Sequence, residues 1–149
     1  MKEIKLSQGK VAMVDDSDYD YLMKWKWCAQ KSKQTFYAVR NPNIKMHRVI
    51  MCTPEDMQID HINGNGLDNQ KYNLRNCTPN QNRKNRKRRK NGTSKYKGVC
   101  YHRGGIEASA WANNTKYIIG YFKTEEAAAM AYDEKAKELH GEFANLNFK

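Results

Sequence analysis

Residues 59–82 read IDHINGNGLDNQKYNLRNCTPNQN, and the architecture follows outward from them. Ile59-Asp60-His61 has the composition of the end of a short strand, and Asn63-Gly64-Asn65-Gly66 supplies turn residues that tolerate positive φ, so the chain reverses there. Asn73-Leu74-Arg75-Asn76-Cys77 can form a second short strand. Thr78 suits a helix N-cap, Pro79 the first helical position, and Gln81 can complete a capping box. Strand, loop, strand, helix is the predicted order. It puts Asn82 in the helix's first turn, where its amide can face back toward Asp60 and His61.

The flanks differ from this segment in charge. The 149 residues carry a net charge of +11, distributed as +5 over residues 1–50, −2 over 51–82, +9 over 83–97 and −1 over 98–149. The basic run holds Arg83, Lys84, Arg86, Lys87, Arg88, Arg89 and Lys90, has no apolar stripe to bury, and ends in turn-forming residues. It reads as a linker that binds phosphates, because each neutralised phosphate releases counterions. The plainer alternative is a solvated tail that keeps the protein soluble.

Residues 1–50 are β-rich, with strand-like segments at 9–14 and 35–40. Between them, Asp16-Ser17-Asp18 can cap a short helix bearing Tyr19, Leu22 and Met23, and Trp25, Trp27 and Cys28 follow at strand spacing. The tryptophans suit the core of a small domain better than a base-stacking platform. Cys28, Cys52, Cys77 and Cys100 show no Cys-x-x-Cys pair, so they are expected to be reduced and mostly packed. With no long apolar run, the expectation is a soluble, cytoplasmic protein.

The segment from Met46-His47-Arg48 through Asp60-His61-Ile62-Asn63-Gly64-Asn65, Asp68-Asn69, Asn73-Leu74-Arg75 and Asn82 resembles the HNH nuclease family, especially phage and intron-encoded homing endonucleases. The resemblance implies a ββα-metal fold in which one divalent cation supports phosphodiester hydrolysis. Asp60 would offer a carboxylate oxygen and Asn82 an amide oxygen to Mg²⁺ or Mn²⁺ that keeps most of its waters. His61 would accept a proton from the attacking water. Asn73 would brace the loop and orient His61, and His47, taken as a residue of the first strand, would pack beneath the site or approach the substrate. Singly, these residues have plainer readings, as turn caps and an ordinary histidine; their joint spacing points to catalysis. A structural zinc on His47, Cys52, His61 and Cys77 is disfavoured, because the paired knuckles of such sites are missing.

The remainder reads as strands at 97–102, 107–113 and 116–122, then a helix capped by Thr124, running to about His140 and ended by Gly141. Ala128, Ala131, Tyr132 and Leu139 would form its inward face. Tyr96-Lys97-Gly98-Val99, Gly120-Tyr121-Phe122, Glu126-Ala127-Ala128, Ala131-Tyr132-Asp133 and residues 139–148 resemble the DNA-binding domain of plant ethylene-response factors, also found in phage nucleases. In that family the sheet enters the major groove. Alternation turns Ile106, Ala108, Ala110 and Ala112 toward the helix and leaves Glu107, Ser109, Trp111, Lys116 and Ile118 outside. Lys97, His102, Arg103, Trp111 and Lys116 are the candidate DNA contacts here. The face departs from the family: Cys100, His102, Glu107 and Trp111 replace residues that are commonly arginine, lysine or other polar contacts, and they cannot read guanine bidentately.

The combined expectation is a monomeric α+β protein acting on double-stranded DNA. Its parts are a β-rich region at 1–45, the HNH core at 46–82, a basic linker at 83–95 and the DNA-binding module at 96–149. A DNA-binding regulator with a vestigial nuclease centre is the alternative. An RNA-binding role has no stacking signature behind it.

Overall fold

A computed structural model of the protein describes residues 1–33, 35–85 and 92–148. Arg86, Lys87, Arg88, Arg89 and Lys90 of the basic run therefore lie outside the described residues. The chain divides into two compact units, Met1–Asn82 and Arg83–Lys149, of mixed α and β structure. No helix among the described residues is long and apolar enough to cross a membrane.

In the first unit, β1 (Lys2–Lys5) pairs antiparallel with β2 (Val11–Val14), and α1 (Asp16–Leu22) follows. β3 (Cys28–Lys31), β4 (Phe36–Arg40) and β5 (Ile44–Lys45) form a second antiparallel sheet in that order. Ile4, Ala12, Val14, Leu22, Trp27, Ala38 and Met46 make one core. Each fully buried large member, such as Leu22 or Met46, contributes about 1.5–3 kcal/mol. Trp25 and Trp27 precede the strand rather than joining it, since β3 begins at Cys28. Trp27 is buried and donates its indole N–H to the Leu22 carbonyl at 2.8 Å, while the Arg40 guanidinium stacks over Trp25.

His47 is not on a strand. It belongs to α2 (Met46–Met51), a helix that the β-branched pair Val49-Ile50 disguises in the sequence. Met46 and His47 are buried, and Val49 and Ile50 pack on the core at helical spacing, so burial overrides the local propensity. Arg48 then ties down the connection to the next strand, donating to the Pro54 and Met57 carbonyls at 3.3 and 2.7 Å.

β6 (Gln58–His61) and β7 (Leu74–Cys77) form an antiparallel two-stranded ribbon followed by α3 (Pro79–Lys84), the order that the turn and cap signals predict. The Gln81 N–H donates to Thr78 Oγ1 at 3.3 Å and the Thr78 N–H to Gln81 Oε1 at 2.8 Å, which is a closed capping box.

The second unit carries β8 (Val99–His102), β9 (Gly105–Ala112) and β10 (Thr115–Phe122), in the sheet order β10-β9-β8, and α4 (Glu125–His140). Asn113 and Asn114, at φ 49° and 62°, make the two-residue turn between β9 and β10. Ala108, Ala110 and Ala112 are buried and Trp111 and Ile118 are exposed, as alternation requires. The inward face of α4 differs from the expected one: Ala128, Ala129, Tyr132, Asp133 and Ala136 are buried, while Ala131 and Leu139 are only partly so. Asp133 is inside because its carboxylate accepts the Asn147 and Phe148 backbone N–H groups, each at 2.8 Å, a role that hydropathy does not register. Gly98, at φ 76°, lies against Tyr132 so closely that a Cβ there would stand 1.9 Å from the ring. The cysteines are free but not mostly packed: Cys28 and Cys52 are exposed, Cys100 is half-buried and Cys77 is buried.

Candidate functional site

The ribbon of β6 and β7 sorts the candidate residues onto two faces. Asp60 stands opposite Arg75, and a directly opposed pair shares a face. Asp60 is 4% exposed, and its Oδ2 accepts from Arg75 Nε at 2.9 Å and Nη2 at 2.6 Å. Gln58, two residues back, lies on the same face and accepts from Asn82 Nδ2 at 2.8 Å. The capped first turn of α3 thus meets the Asp60 face of the ribbon through Gln58.

His61 leaves on the other face and joins two more rings. Its centroid lies 5.0 Å from that of His47 and 5.8 Å from that of Tyr37, and the His47 and Tyr37 centroids are 5.4 Å apart. Burial pulls the His61 pKa below 6.5, against the opposing influence of Asn69, Asp60 and Asp68. His47 is pushed down to about 3, by burial first and then by His61, Lys45 and Arg48. Both imidazoles are therefore neutral at pH 7. His47 Nδ1 is buried with no hydrogen-bond partner among the described residues.

Asn73 is 1% exposed, and both ends of its amide hold the intervening loop. Oδ1 accepts the Asn63 N–H at 2.9 Å and Nδ2 donates to the Asp68 carbonyl at 2.8 Å. Asp68 in turn accepts from Asn63 Nδ2 at 2.7 Å and from the Tyr72 hydroxyl at 3.2 Å. β2 reaches the same loop through Met13, whose N–H donates to the Leu67 carbonyl and whose carbonyl accepts from the Asn69 N–H. Residues 1–45 are thereby built into the support of the loop that follows His61.

In the second unit, Lys97 is half-buried; its ammonium donates to the Lys84 carbonyl at 2.8 Å, and burial lowers its pKa to about 8. Lys84 Nζ donates to the Trp111 carbonyl at 3.3 Å. Arg83, Arg103 and the Trp111 ring are exposed. Lys116 and His102 converge on Glu107, at 2.8 and 3.7 Å. Glu107 lies on the outer face as expected, yet it is 3% exposed, walled in by these side chains and by the Tyr121 hydroxyl at 3.4 Å.

Residue type and spacing alone point to His47 and His61 but not to Tyr37, the third ring of their group. Nor do they point to Arg75 as the partner of Asp60. The Arg75 pairing was legible in principle from the strand register; that of Tyr37 depends on a sheet far away in sequence.

No protein-family model and no solved structure matches the chain. An uncharacterized HNH endonuclease of Acanthamoeba polyphaga mimivirus is 35% identical over 149 aligned residues, covering 94% of this chain and 76% of that protein. Protein 3.8 of Escherichia phage T7 is 31% identical over 127 residues, covering 78% of this chain and 98% of its own length. An AP2-like ethylene-responsive transcription factor of Arabidopsis thaliana is 35% identical over 68 residues, which are 44% of this chain and 14% of that protein.

Proposed function

The chain belongs to the HNH endonuclease family, and on that premise we propose that it is a divalent-metal-dependent endonuclease that hydrolyses phosphodiester bonds of double-stranded DNA. The observation that carries this reading is the adjacency on β6 of a buried carboxylate, Asp60, and a buried neutral imidazole, His61, with the loop behind them gripped at Asn63 and Asp68 by the two ends of the Asn73 amide.

The donor set fits a hard cation. Asp60 supplies carboxylate oxygen, and because the Asn82 amide nitrogen is committed to Gln58, the other end of that amide is an oxygen. Asp60 and Asn82 would hold the ion. Bound there, Mg²⁺ or Mn²⁺ supplies positive charge that stabilises the scissile phosphate and the leaving oxygen. The protein's own residues do the rest. His61, neutral at pH 7, takes the proton from the attacking water. Tyr37 and His47 fix the imidazole plane by packing against it, and Asn73 keeps the loop after His61 from collapsing onto the site.

DNA is held by a second set of residues. Arg83, Lys84, Arg86, Lys87, Arg88, Arg89 and Lys90 contact phosphates without reading sequence. The 96–149 module presents the outer face of its sheet, with His102, Arg103, Trp111 and Lys116; Lys97 serves as a support, since its ammonium is turned onto the Lys84 carbonyl.

A regulator with a vestigial centre has one observation in its favour, the two-pronged grip of Arg75 on Asp60, which competes with a cation for the same oxygen. Supercoiled plasmid incubated with the chain and Mg²⁺ or Mn²⁺ separates the two readings. Conversion to nicked or linear DNA is expected; binding without strand scission would favour the regulator.

A further inference from the structure

The outer face of the second unit's sheet brings a thiol, an imidazole and a carboxylate together from two adjacent strands. Cys100 and His102 are two residues apart on β8, so they share a face, and Glu107 on β9 stands directly opposite Cys100. We propose that Cys100, His102 and Glu107 form a binding site for a borderline-soft divalent transition-metal ion of the zinc type.

The spacing of the donor atoms carries the argument. Cys100 Sγ lies 3.2 Å from His102 Nε2 and 3.8 Å from Glu107 Oε1, and His102 Nε2 lies 3.7 Å from Glu107 Oε2. A tetrahedral ion with bonds of about 2.0–2.3 Å holds its ligand atoms roughly 3.3–3.8 Å apart; with one donor atom from each residue the three lie within 4.8 Å of one another, so a small rotation of the Glu107 carboxylate brings them to that spacing. They come from adjacent, hydrogen-bonded strands, a rigid support for coordination.

The donor types select the ion. A thiolate, an imidazole and a carboxylate favour Zn²⁺ or Co²⁺, whereas the all-oxygen pair Asp60 and Asn82 favours Mg²⁺ or Mn²⁺. The two sites therefore take different ions. The Glu107 side chain is 4% exposed, and a carboxylate so covered is stabilised by a cation beside it. The Lys116 ammonium fills that role at 2.8 Å, but its side chain is 36% exposed and can turn to solvent when an ion takes its place. Binding releases the Cys100 thiol proton to solvent. Three protein ligands leave the fourth position to water.

The full chain titrated with Co²⁺ tests the site, because a thiolate-to-cobalt charge-transfer band arises only if sulfur coordinates and the Asp60 and Asn82 donors cannot produce it. The band is expected in the unmodified chain and absent in Cys100→Ser, and His102→Ala should bind Co²⁺ roughly a hundredfold more weakly. No band in the unmodified chain, or a band that survives in Cys100→Ser, overturns the proposal. A second measurement needs no variant. Zn²⁺ should slow alkylation of Cys100 about tenfold or more while leaving the exposed Cys28 and Cys52 unchanged. Equal labelling of Cys100 with and without Zn²⁺ also overturns it.

Discussion

His61→Gln is expected to lower the rate of DNA cleavage by at least about a hundredfold while DNA affinity stays within about twofold, because the proposed general base would contribute to the transition state and not to ground-state binding. Glutamine is the informative replacement. It keeps a polar side chain of comparable reach among Tyr37, His47 and Asn69, but its amide accepts no proton near neutral pH. Single-turnover cleavage and binding to the same duplex, measured on a variant shown to be folded by circular dichroism, decide the matter. Parallel loss of cleavage and affinity would mean that His61 holds the site together and takes no part in the chemistry.

The second large effect is on stability. His47 is pushed down from 6.5 to about 3 in the folded chain, so the unfolded chain binds the proton more tightly. The sign follows directly: the stability that neutral His47 provides is complete above about pH 6.5 and is lost as pH falls toward 3. Between neutral pH and pH 5, where most carboxylates are still ionised, the loss is about 2 kcal/mol. His61, depressed in the same direction, adds to it. Urea unfolding followed by tryptophan fluorescence reports on the first unit through buried Trp27. The midpoint should fall steeply from pH 7 to pH 5 in the unmodified chain and less steeply in His47→Gln. Equal slopes in the two proteins would show that His47 takes up its proton without cost in the fold.

How much of this was legible in the sequence varies with the range of the interaction. The ribbon, its reversal and α3 were readable because their signals are local: Asn and Gly at the turn, then Thr, Pro and Gln at the cap, all within the stretch they shape. The three strands and long helix of the second unit were readable for the same reason, with period-two alanines on β9 and Thr124 accepting the Ala127 N–H. α2 was not, because Val49 and Ile50 favour a strand locally and become helical only by packing on a core made of β1, β2 and α1 residues. Asp133 was not read as a buried residue, since its partners arrive with the chain's last turn at Asn147 and Phe148. At the candidate site, residue types pointed to Asp60, His61, Asn73 and Asn82. The grouping of Tyr37 with two histidines needed the tertiary fold. Cys100 and Glu107 stood out only as departures from the residues usual on a base-reading face, and His102 also as a candidate DNA contact, although strand alternation and a hairpin register suffice to bring the three together.

The proposed role of Asp60 in a cation-dependent hydrolysis is tested most directly by restoring metal to a chelated protein. The chain is stripped with EDTA, dialysed, and returned to supercoiled plasmid with or without Mg²⁺, beside Asp60→Asn treated in the same way. The prediction is no scission by either protein without metal, recovery of nicked or linear plasmid with Mg²⁺ in the unmodified chain, and at least about a hundredfold less in Asp60→Asn. Scission that survives chelation, or equal recovery in the variant, would contradict it.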